Sequence, residues 1–559
     1  MSQEKPKLDT SPALEPKEIP EEGQRQLGER LIESEGTGQP NKKPLAFYLA
    51  FFAINIIVLV FSLDATCLAV AIPSIADQLN GTTLQSFWAS IAFLQAAIIA
   101  QPLYTSLSDI YGRKPLLQVA FLFFAVGSLV FALSHNMASI ITGRVLQGFG
   151  GGGLDVLGEI IVADMTTLKD RAAYLGIMAI PTAAGSILGP SMGALFSQYV
   201  SWRWIGWINL PLLGISYPFV LFCLHLKRLE LSVLEKTRQL DWAGILLFAV
   251  GCVAFALPLS WTGTLYPWSS WRTILLLVIG FLFLAAFAFY ERRPRKPIMP
   301  HRLFSRTASA TLFGAFVHGM ILFSLMQYLS YLYQAVLRQD IIHSAVTLLP
   351  TSIVSVLAAG FSVVAVGLMR SYRWSVWTSW ILTAVGTGIL ALMSDTSSKG
   401  MAYALPVLSF TGIGALLRVL HLPLQASVPH VDDTGLAIGL LMFARIFGGL
   451  IGLAVSSTIF SSIFQKSIAA VSLPDSLVSL RDANEAIRFI PRLKALDLAQ
   501  PSTLPIIHSY LTAFQAIFYT MAELSGLGFL ASLLIQDLNI QKEELGRQQF
   551  QTSGDTSEI

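Results

Sequence analysis

Residues 86–134 read SFWASIAFLQAAIIAQPLYTSLSDIYGRKPLLQVAFLFFAVGSLVFALS: one apolar run, a turn carrying Asp109, Gly112, Arg113 and Lys114, and a second apolar run. A bilayer's hydrocarbon core, about 30 Å thick, is crossed by about 20 apolar residues of helix, the length of each run. The stretch therefore reads as a membrane hairpin with its polar turn at one surface. The same reading extends in both directions. Fourteen such runs lie near 47–68, 86–106, 116–134, 138–162, 173–197, 204–225, 241–261, 273–290, 308–333, 345–368, 375–393, 401–421, 437–465 and 511–536. At about 20 residues each they make about 280 residues, half of a 559-residue chain, leaving too little for a large soluble domain. Alternating strands of about ten residues are absent from the sequence, which excludes a β-barrel.

Composition agrees. The chain is 54% hydrophobic and 13% charged, where a soluble domain carries about a quarter charged residues; this argues against a water-soluble enzyme. Residues 1–44 hold 7 Lys/Arg, 9 Asp/Glu and Pro6, Pro12, Pro16, Pro20 and Pro40. They lack the basic-then-apolar order of a cleaved signal and read as a disordered tail. With both termini in the cytoplasm, 20 Lys/Arg fall on the inner side, Lys42, Lys43, Arg113, Lys114, Lys169 and Arg171 among them. The short outer loops then hold Arg203, Arg272, Arg338 and Lys399. That asymmetry sets the expected orientation.

Cys67, Cys223 and Cys252 all lie within expected spans and read as small packing residues. No metal-ligand spacing appears. The run Gly148 to Gly153 sits inside an apolar helix and is not followed by Lys-Ser/Thr, so it is no phosphate loop, and ATP is not the expected energy source.

Ionisable residues at membrane depth cost about 2.5–3.5 kcal/mol on insertion scales, so each is a functional candidate. Asp64 interrupts the first span, where it must either pair or hold a proton. In the fourth, Arg144, Gly148, Gly151, Asp155 and Glu159 keep one helical face. Arg144 and Asp155 stand about 16 Å apart along the axis, too far to pair. Glu159 reads as an interfacial charge and ranks below Arg144. Gly185, Gly189 and Gly193 recur every fourth residue, with Pro190 as a kink, and read alone as a packing face. Further interior candidates are Gln95, Gln101, His318, Gln327, Arg418, His421, Arg445 and Glu523. In the turn, Gly112 permits the reversal, and Arg113 and Lys114 can bridge to carboxylates or helix C-termini. A weaker echo at Gly367 to Arg373 hints at two related halves.

These strings together resemble the major facilitator superfamily, in particular the fourteen-helix drug:proton antiporters of fungal toxin and multidrug efflux type. The resemblance covers about residues 45–536. It rests on Leu63 to Pro73, Leu107 to Lys114, Arg144-Val-Leu-Gln-Gly148, Gly185 to Ala194, Trp202-Arg203-Trp204, Ile208 to Pro211, Asp241 to Gly244 and Phe443 to Gly449. Departures are Thr105 and Ala194 where the family has Gly, Ser330 where it often has Pro, and a charge, Arg418, in span twelve.

The resemblance implies an all-α polytopic fold: a six-helix bundle at 45–225, two extra helices with linkers at 226–306, a second six-helix bundle at 307–536 with an outer loop at 466–510, and cytoplasmic tails at 1–44 and 537–559. It ties the buried Arg144 to proton movement, which with the buried acids Asp64 and Asp155 makes the expected proton-coupling set, and it implies a gate at Asp109, Gly112, Arg113 and Lys114. It also implies an export-associated helix at Gly185, Gly189, Pro190 and Gly193, and a substrate cavity with Gln95, His318, Gln327, Arg445 and Glu523 as candidates. The expected partners are a small amphipathic organic molecule, protons and the bilayer, with no nucleic acid, no metal and no cofactor beyond the proton gradient; the expected state is a monomer in the plasma membrane, with the vacuolar membrane as the alternative. Siderophore or nutrient import by proton symport is the first alternative function, disfavoured by the glycine helix. A non-transporting sensor is the second, disfavoured by tails too short for a signalling domain. Asn80 opens a glycosylation sequon on the expected outer side. The segment 466–510, helix-like around Asp475 to Phe489, reads as a solvated loop, with a cover over the cavity mouth as the alternative.

Overall fold

An apolar stretch in lipid can hydrogen-bond only to itself, so each run closes into a helix. The computed structural model describes residues 43–81, 83–227, 241–261, 266–293, 297–481, 486–487, 489–490, 493, 496, 502–540 and 548–550. Most of the expected N-terminal tail, Thr82 of the sequon, the linker at 228–240 and much of both the outer segment and the C-terminal tail lie outside the described residues. Among the described residues the regular structure is helical, with an isolated antiparallel bridge between Leu226 and Phe550.

The long helices are α1 Leu45–Gln78, α2 Thr83–Tyr111, α3 Arg113–Ala132, α4 Met137–Met165, α5 Leu168–Tyr199, α6 Asn209–Cys223, α7 Trp242–Trp261 and α8 Trp271–Tyr290. They continue with α9 Arg306–Ala335, α10 Leu349–Met369, α11 Arg373–Leu390, α12 Lys399–Val419, α13 Thr434–Ile468 and α14 Thr503–Ser532. At twelve of these positions the helix is long and apolar enough to cross a membrane. The other two expected positions are occupied by the helices α11 and α14, an arrangement consistent with fourteen spans. Their apolar character is diluted by Ser, Thr and Gly in α11 and by His508, Gln515 and Glu523 in α14.

Packing divides the helices into two similar sets. Within the first, α1 lies against α5 and α6, and α4 against α2 and α3; within the second, α9 lies against α13 and α14, and α12 against α10 and α11. Adding eight to each helix number of the first set gives the second, the signature of an internal repeat. The sets meet through α2 with α13 and through α5 with α10, again a symmetric exchange. Helices α7 and α8 pair with each other, and α7 reaches both α2 and α13. Phe550 packs edge-on against Phe47 at the start of α1, so both chain ends share one face, the termini face.

Glycine makes the close approaches possible. A Cβ on Gly148 would strike the backbone of Phe93 in α2, and one on Gly150 the backbone of Phe124 in α3. Gly185, Gly189 and Gly193 of α5 lie against Ser62, Leu63, Thr66 and Cys67 of α1, while Pro190 sits inside the same helix. The second set repeats the device: Gly448 and Gly452 of α13 rest on Phe316 and Met320 of α9. The cysteines are unbridged, Cys67 and Cys252 being buried.

The outer segment departs from the solvated loop expected of it. It carries a 3-10 turn at Asp475–Arg481, and Leu477, Leu480, Ala486, Ile490 and Leu493 are buried in the core of the second set. The Tyr510 hydroxyl donates to the Ala486 carbonyl at 2.6 Å, tying the segment to α14. Their near-helical spacing supplies one apolar face, which packs onto the bundle instead of facing water.

Replacing Gly148 with Val drives a side chain into backbone that cannot retreat, an overpacking cost of about 3 kcal/mol or more. Replacing Gly360 with Ala enters open space. Size-exclusion profiles in detergent are expected to lose the monodisperse peak for Gly148→Val and to keep it for Gly360→Ala.

Candidate functional site

Asp64 is 1% exposed, in a helix otherwise almost wholly apolar. A carboxylate this dry needs each oxygen occupied. Arg144 of α4 donates from Nη1 to Oδ2 at 2.6 Å and from Nη2 to the Asp64 carbonyl at 3.3 Å. Oδ1 accepts from Asn209 of α6 at 2.8 Å and from Gln147 of α4 at 3.3 Å. Both amides also donate to the Ser128 hydroxyl of α3. The Arg144 guanidinium lies 4.5 Å above the Phe93 ring of α2, a cation–π contact in a dry site. Five helices thus converge on one ion pair, all from the first bundle. Thr66, two residues on, donates to the Gly185 carbonyl at 3.4 Å and links this centre to the glycine helix.

A second centre lies nearer the termini face. Asp155 accepts from Gln101 of α2 at 3.0 Å and does not pair with Arg144. One turn on, Glu159 is 4% exposed and therefore not the interfacial charge expected. Its Oε1 accepts from Arg418 Nη1 of α12 at 2.7 Å, across the boundary between bundles. Arg418 Nη2 donates to the Thr182 hydroxyl of α5 at 3.1 Å, and His421 Nδ1 stands 3.5 Å from Glu159 Oε2. Arg445 of α13 donates to the Leu417 carbonyl at 3.0 Å, and its field reaches both Asp155 and Glu159. His318 of α9 is fully buried with Nε2 2.9 Å from the Ile413 carbonyl.

At the termini face the α2–α3 turn forms a third centre. Gly112 has φ 105, a left-handed conformation that side chains rarely adopt. The Arg113 guanidinium pairs with Asp109 on its own turn and with Asp164 of α4, the latter at 3.1 Å. Lys114 Nζ donates at 2.8 Å to the Leu221 and Leu224 carbonyls at the end of α6, a C-terminal helix position suited to a cation. Gly435, at the start of α13, admits the Arg113 guanidinium from the other bundle. Arg171 donates to Gln425 of the second bundle at 2.9 Å and to the Ala163 and Thr166 carbonyls that end α4; burial pulls it down to about 10. Arg302 makes two bonds of 2.7 Å to Asp433, and this pairing raises its pKa. Gln548, from the tail, accepts from the Arg113 backbone N–H at 2.9 Å and donates to the Ser108 carbonyl at 3.2 Å.

The remaining candidates scatter. Gln95 donates to the Ala256 carbonyl of α7 and so faces the extra helices. Gln327 is half-buried and hydrogen-bonds Tyr331. Glu523 is exposed on the outward face of α14, in line with Tyr519, Leu527 and Leu530, away from the other candidates. Asn80 is exposed at a left-handed turn with φ 51. Among the described residues no group of His, Cys, Asp or Glu converges as metal ligands. Sequence reasoning assigned no role to Ser128, Asn209, Asp164 or Gln548. An amide at 209 inside an apolar run was the available signal for one of them; the others give none.

The family model described as Major Facilitator Superfamily matches residues 54–453. The chain is 50% identical over 515 residues to the MFS-type transporter sphD of Aspergillus fumigatus, covering 91% of this chain and 89% of that one. It is 33% identical over 525 residues to the efflux pump FUS6 of Gibberella fujikuroi, covering 92% and 93%. The solved structure of the human organic anion transporter MFSD10 (TETRAN) aligns with a TM-score of 0.55 at 14% identity, over 88% of this chain and 100% of that one. With the repeat, the fourteen helices and the family match in agreement, this chain belongs to the major facilitator superfamily.

Proposed function

We propose that the protein exports small amphipathic organic molecules from the cytoplasm in exchange for protons, by alternating access between the bundles at 45–225 and 307–536. The observation that carries this reading is the dry Asp64–Arg144 pair, because a carboxylate at membrane depth with a single cationic partner can trade that partner for a proton. Efflux is supported by relatives named as efflux pumps and by the glycine helix seated on α1 beside Asp64. The termini face is the cytoplasmic one, where Arg113, Lys114, Arg171 and Arg302 gather, and the contacts of Arg113, Arg171 and Gly435 close it. The protein acts as a monomer in the plasma membrane, with Asn80 presented outside for glycosylation.

In this cycle a proton from the outer side neutralises Asp64 or Asp155 and biases the inward-facing state, where the proton leaves and cargo enters. Protonation shifts the two-state balance only by its differential affinity. A difference of about two pKa units between states shifts it about a hundredfold.

Inverted vesicles with an imposed pH gradient, acid inside, are expected to accumulate members of a panel of amphipathic fluorescent dyes. Asp64→Asn should cut this uphill accumulation about a hundredfold, while the paired variant Asp64→Asn with Arg144→Gln keeps a monodisperse profile. Movement only in the opposite direction selects import, and no movement under either gradient rejects transport. Asp109→Asn removes one partner of Arg113 and leaves Asp164 in place. Because Asp164 still pairs with the buried Arg113, the variant should fold, with the dye accumulation rate reduced several-fold and protein yield unchanged.

A further inference from the structure

The C-terminal tail makes contacts that the proposed transport cycle does not use. Its root belongs to the second bundle: Ile535 and Ile540 are buried in that core, and the Gln536 backbone N–H donates to Thr307 Oγ1 at 3.1 Å. Tyr372 holds the root further, its hydroxyl donating to the Gln536 carbonyl and accepting from the Leu538 N–H at 2.9 Å. The tip belongs to the first bundle. Phe550 packs edge-on against Phe47 and His225 and bridges to Leu226, itself in the first bundle's core. Beside that bridge the Lys227 N–H donates to the Gln549 carbonyl at 3.0 Å.

The tip also carries Gln548, which is only 2% exposed. Helix α3 starts after Gly112, a residue with no side chain to cap the free N–H groups of the first turn. Gln548 supplies the missing cap from the far end of the chain. Its Oε1 accepts from the Arg113 N–H at 2.9 Å, and its Nε2 donates to the Ser108 carbonyl at 3.2 Å. One carboxamide thus brackets both sides of the reversal, with its oxygen and its nitrogen both paired, as burial requires. The turn so bracketed is the one that carries Arg113 to Asp164 and to Gly435 of the other bundle. Root and tip therefore stand on opposite bundles, with seven residues between Ile540 and Gln548, a reach of about 28 Å at full extension. Parting the bundles at this face loads that link.

We propose that the tail is a strap: its tip, Gln548 to Phe550, docks on the α2–α3 turn, caps α3 in trans and holds the termini face shut in the absence of cargo. Docking fixes the turn that aims Arg113 across the seam. Opening of the face releases the tip, and closure docks it again. The contact is autoinhibitory, because it sets how often the resting protein opens on this side. Gln548 is a positioning residue in this device, acting through the turn that it caps. The inference goes beyond the exchange of cargo for protons, since it needs only that the two bundles rock, whichever ion drives them and whichever way cargo moves.

Val363 of α10 supplies a reporter away from the dock. It is 3% exposed and stands about 9 Å from the end of α10 at Met369. A Cβ on Gly176 of α5, in the opposite bundle, would lie 3.9 Å from its own Cβ, so opening this half of the seam bares it. Val363→Cys, in a chain with Cys67, Cys223 and Cys252 replaced, is purified in detergent without cargo, and its rate of labelling by a water-soluble maleimide is measured. Gln548→Ala should label about fivefold faster than the parent, the ratio that one lost helix cap commands. A chain cut after Ile540, which keeps the root, should label at least as fast. Free peptide of residues 541–559, added at about 1 mM, the effective concentration of a tethered segment, should return the cut chain to the parent's rate. The same peptide carrying Gln548→Ala should not, a contrast that a merely structural defect would not give. A cut chain that labels no faster than the parent, or one on which the two peptides act alike, overturns the strap. Dye accumulation under a pH gradient reads the transport proposal separately: the labelling contrast without dye movement rejects transport and leaves the strap standing, and dye movement without the contrast rejects the strap alone.

Discussion

An ion taken out of water must meet a counter-ion, a set of dipoles or a proton, and the interior of this protein is arranged around that requirement. Asp64 draws Arg144, Gln147 and Asn209 from two further helices; Asp164 draws Arg113 from the α2–α3 turn; Glu159 draws Arg418 from the other half of the chain. Each acid fixes the relative rotation of the helices that serve it, because a guanidinium displaced by an ångström or two would leave a buried charge unpaired at a cost of about 3–5 kcal/mol. The apolar surfaces set that there are helices in lipid. The charges set which faces meet.

Two kinds of contact then separate what holds still from what moves. Inside each bundle the helices touch backbone to backbone through glycine, as at Gly148 on Phe93, Gly193 on Cys67, Gly319 on Arg445 and Gly448 on Phe316. Such contacts have no slack, since the interior is close-packed and strain is transmitted through it. Between bundles the contacts are made largely by side chains: Arg113 on Gly435, Thr105 on Gly439, Arg171 with Gln425, Glu159 with Arg418. Those can be exchanged for water. The division gives rigid units with a separable seam, which is the mechanical content of alternating access.

The fold was legible in the sequence because lipid leaves the backbone one solution, and fourteen apolar runs therefore meant fourteen helices. The turn at Asp109 to Lys114 was legible in detail: Gly112 takes the positive φ its glycine allowed, and Lys114 binds helix-end carbonyls as a cation in that position should. Pairings were less legible, because they depend on helix rotation and on which helix faces which across the repeat. Glu159 and Arg418 each looked anomalous when read alone, one a marginal charge and the other a departure from its family. Their opposite signs, in helices α4 and α12 that occupy equivalent places in the two halves, were the information that joined them. Glu523 shows the converse: depth in a span is not orientation, and its helix turns it outward. The outer segment misled through composition, since charged residues such as Asp475 and Arg481 masked the apolar spacing of Leu477, Leu480 and Leu493.

The halves repeat in packing and differ in charge. The interface acids, Asp155 and Glu159, come from the first bundle, and the cations that face them, Arg418 and Arg445, come from the second. This asymmetry gives the seam a polarity that symmetry alone could not. While the termini face is shut, the opposite charges attract through a poorly screening interior; once it opens, water replaces each partner and the loss is largely repaid by hydration. The two states can therefore lie within a few kcal/mol of each other despite the size of the individual terms. In the proposed cycle a balance that close is the condition for a single proton or a single molecule of cargo to decide it, and the acid–cation pairs lie toward the face that the cycle opens to the cytoplasm.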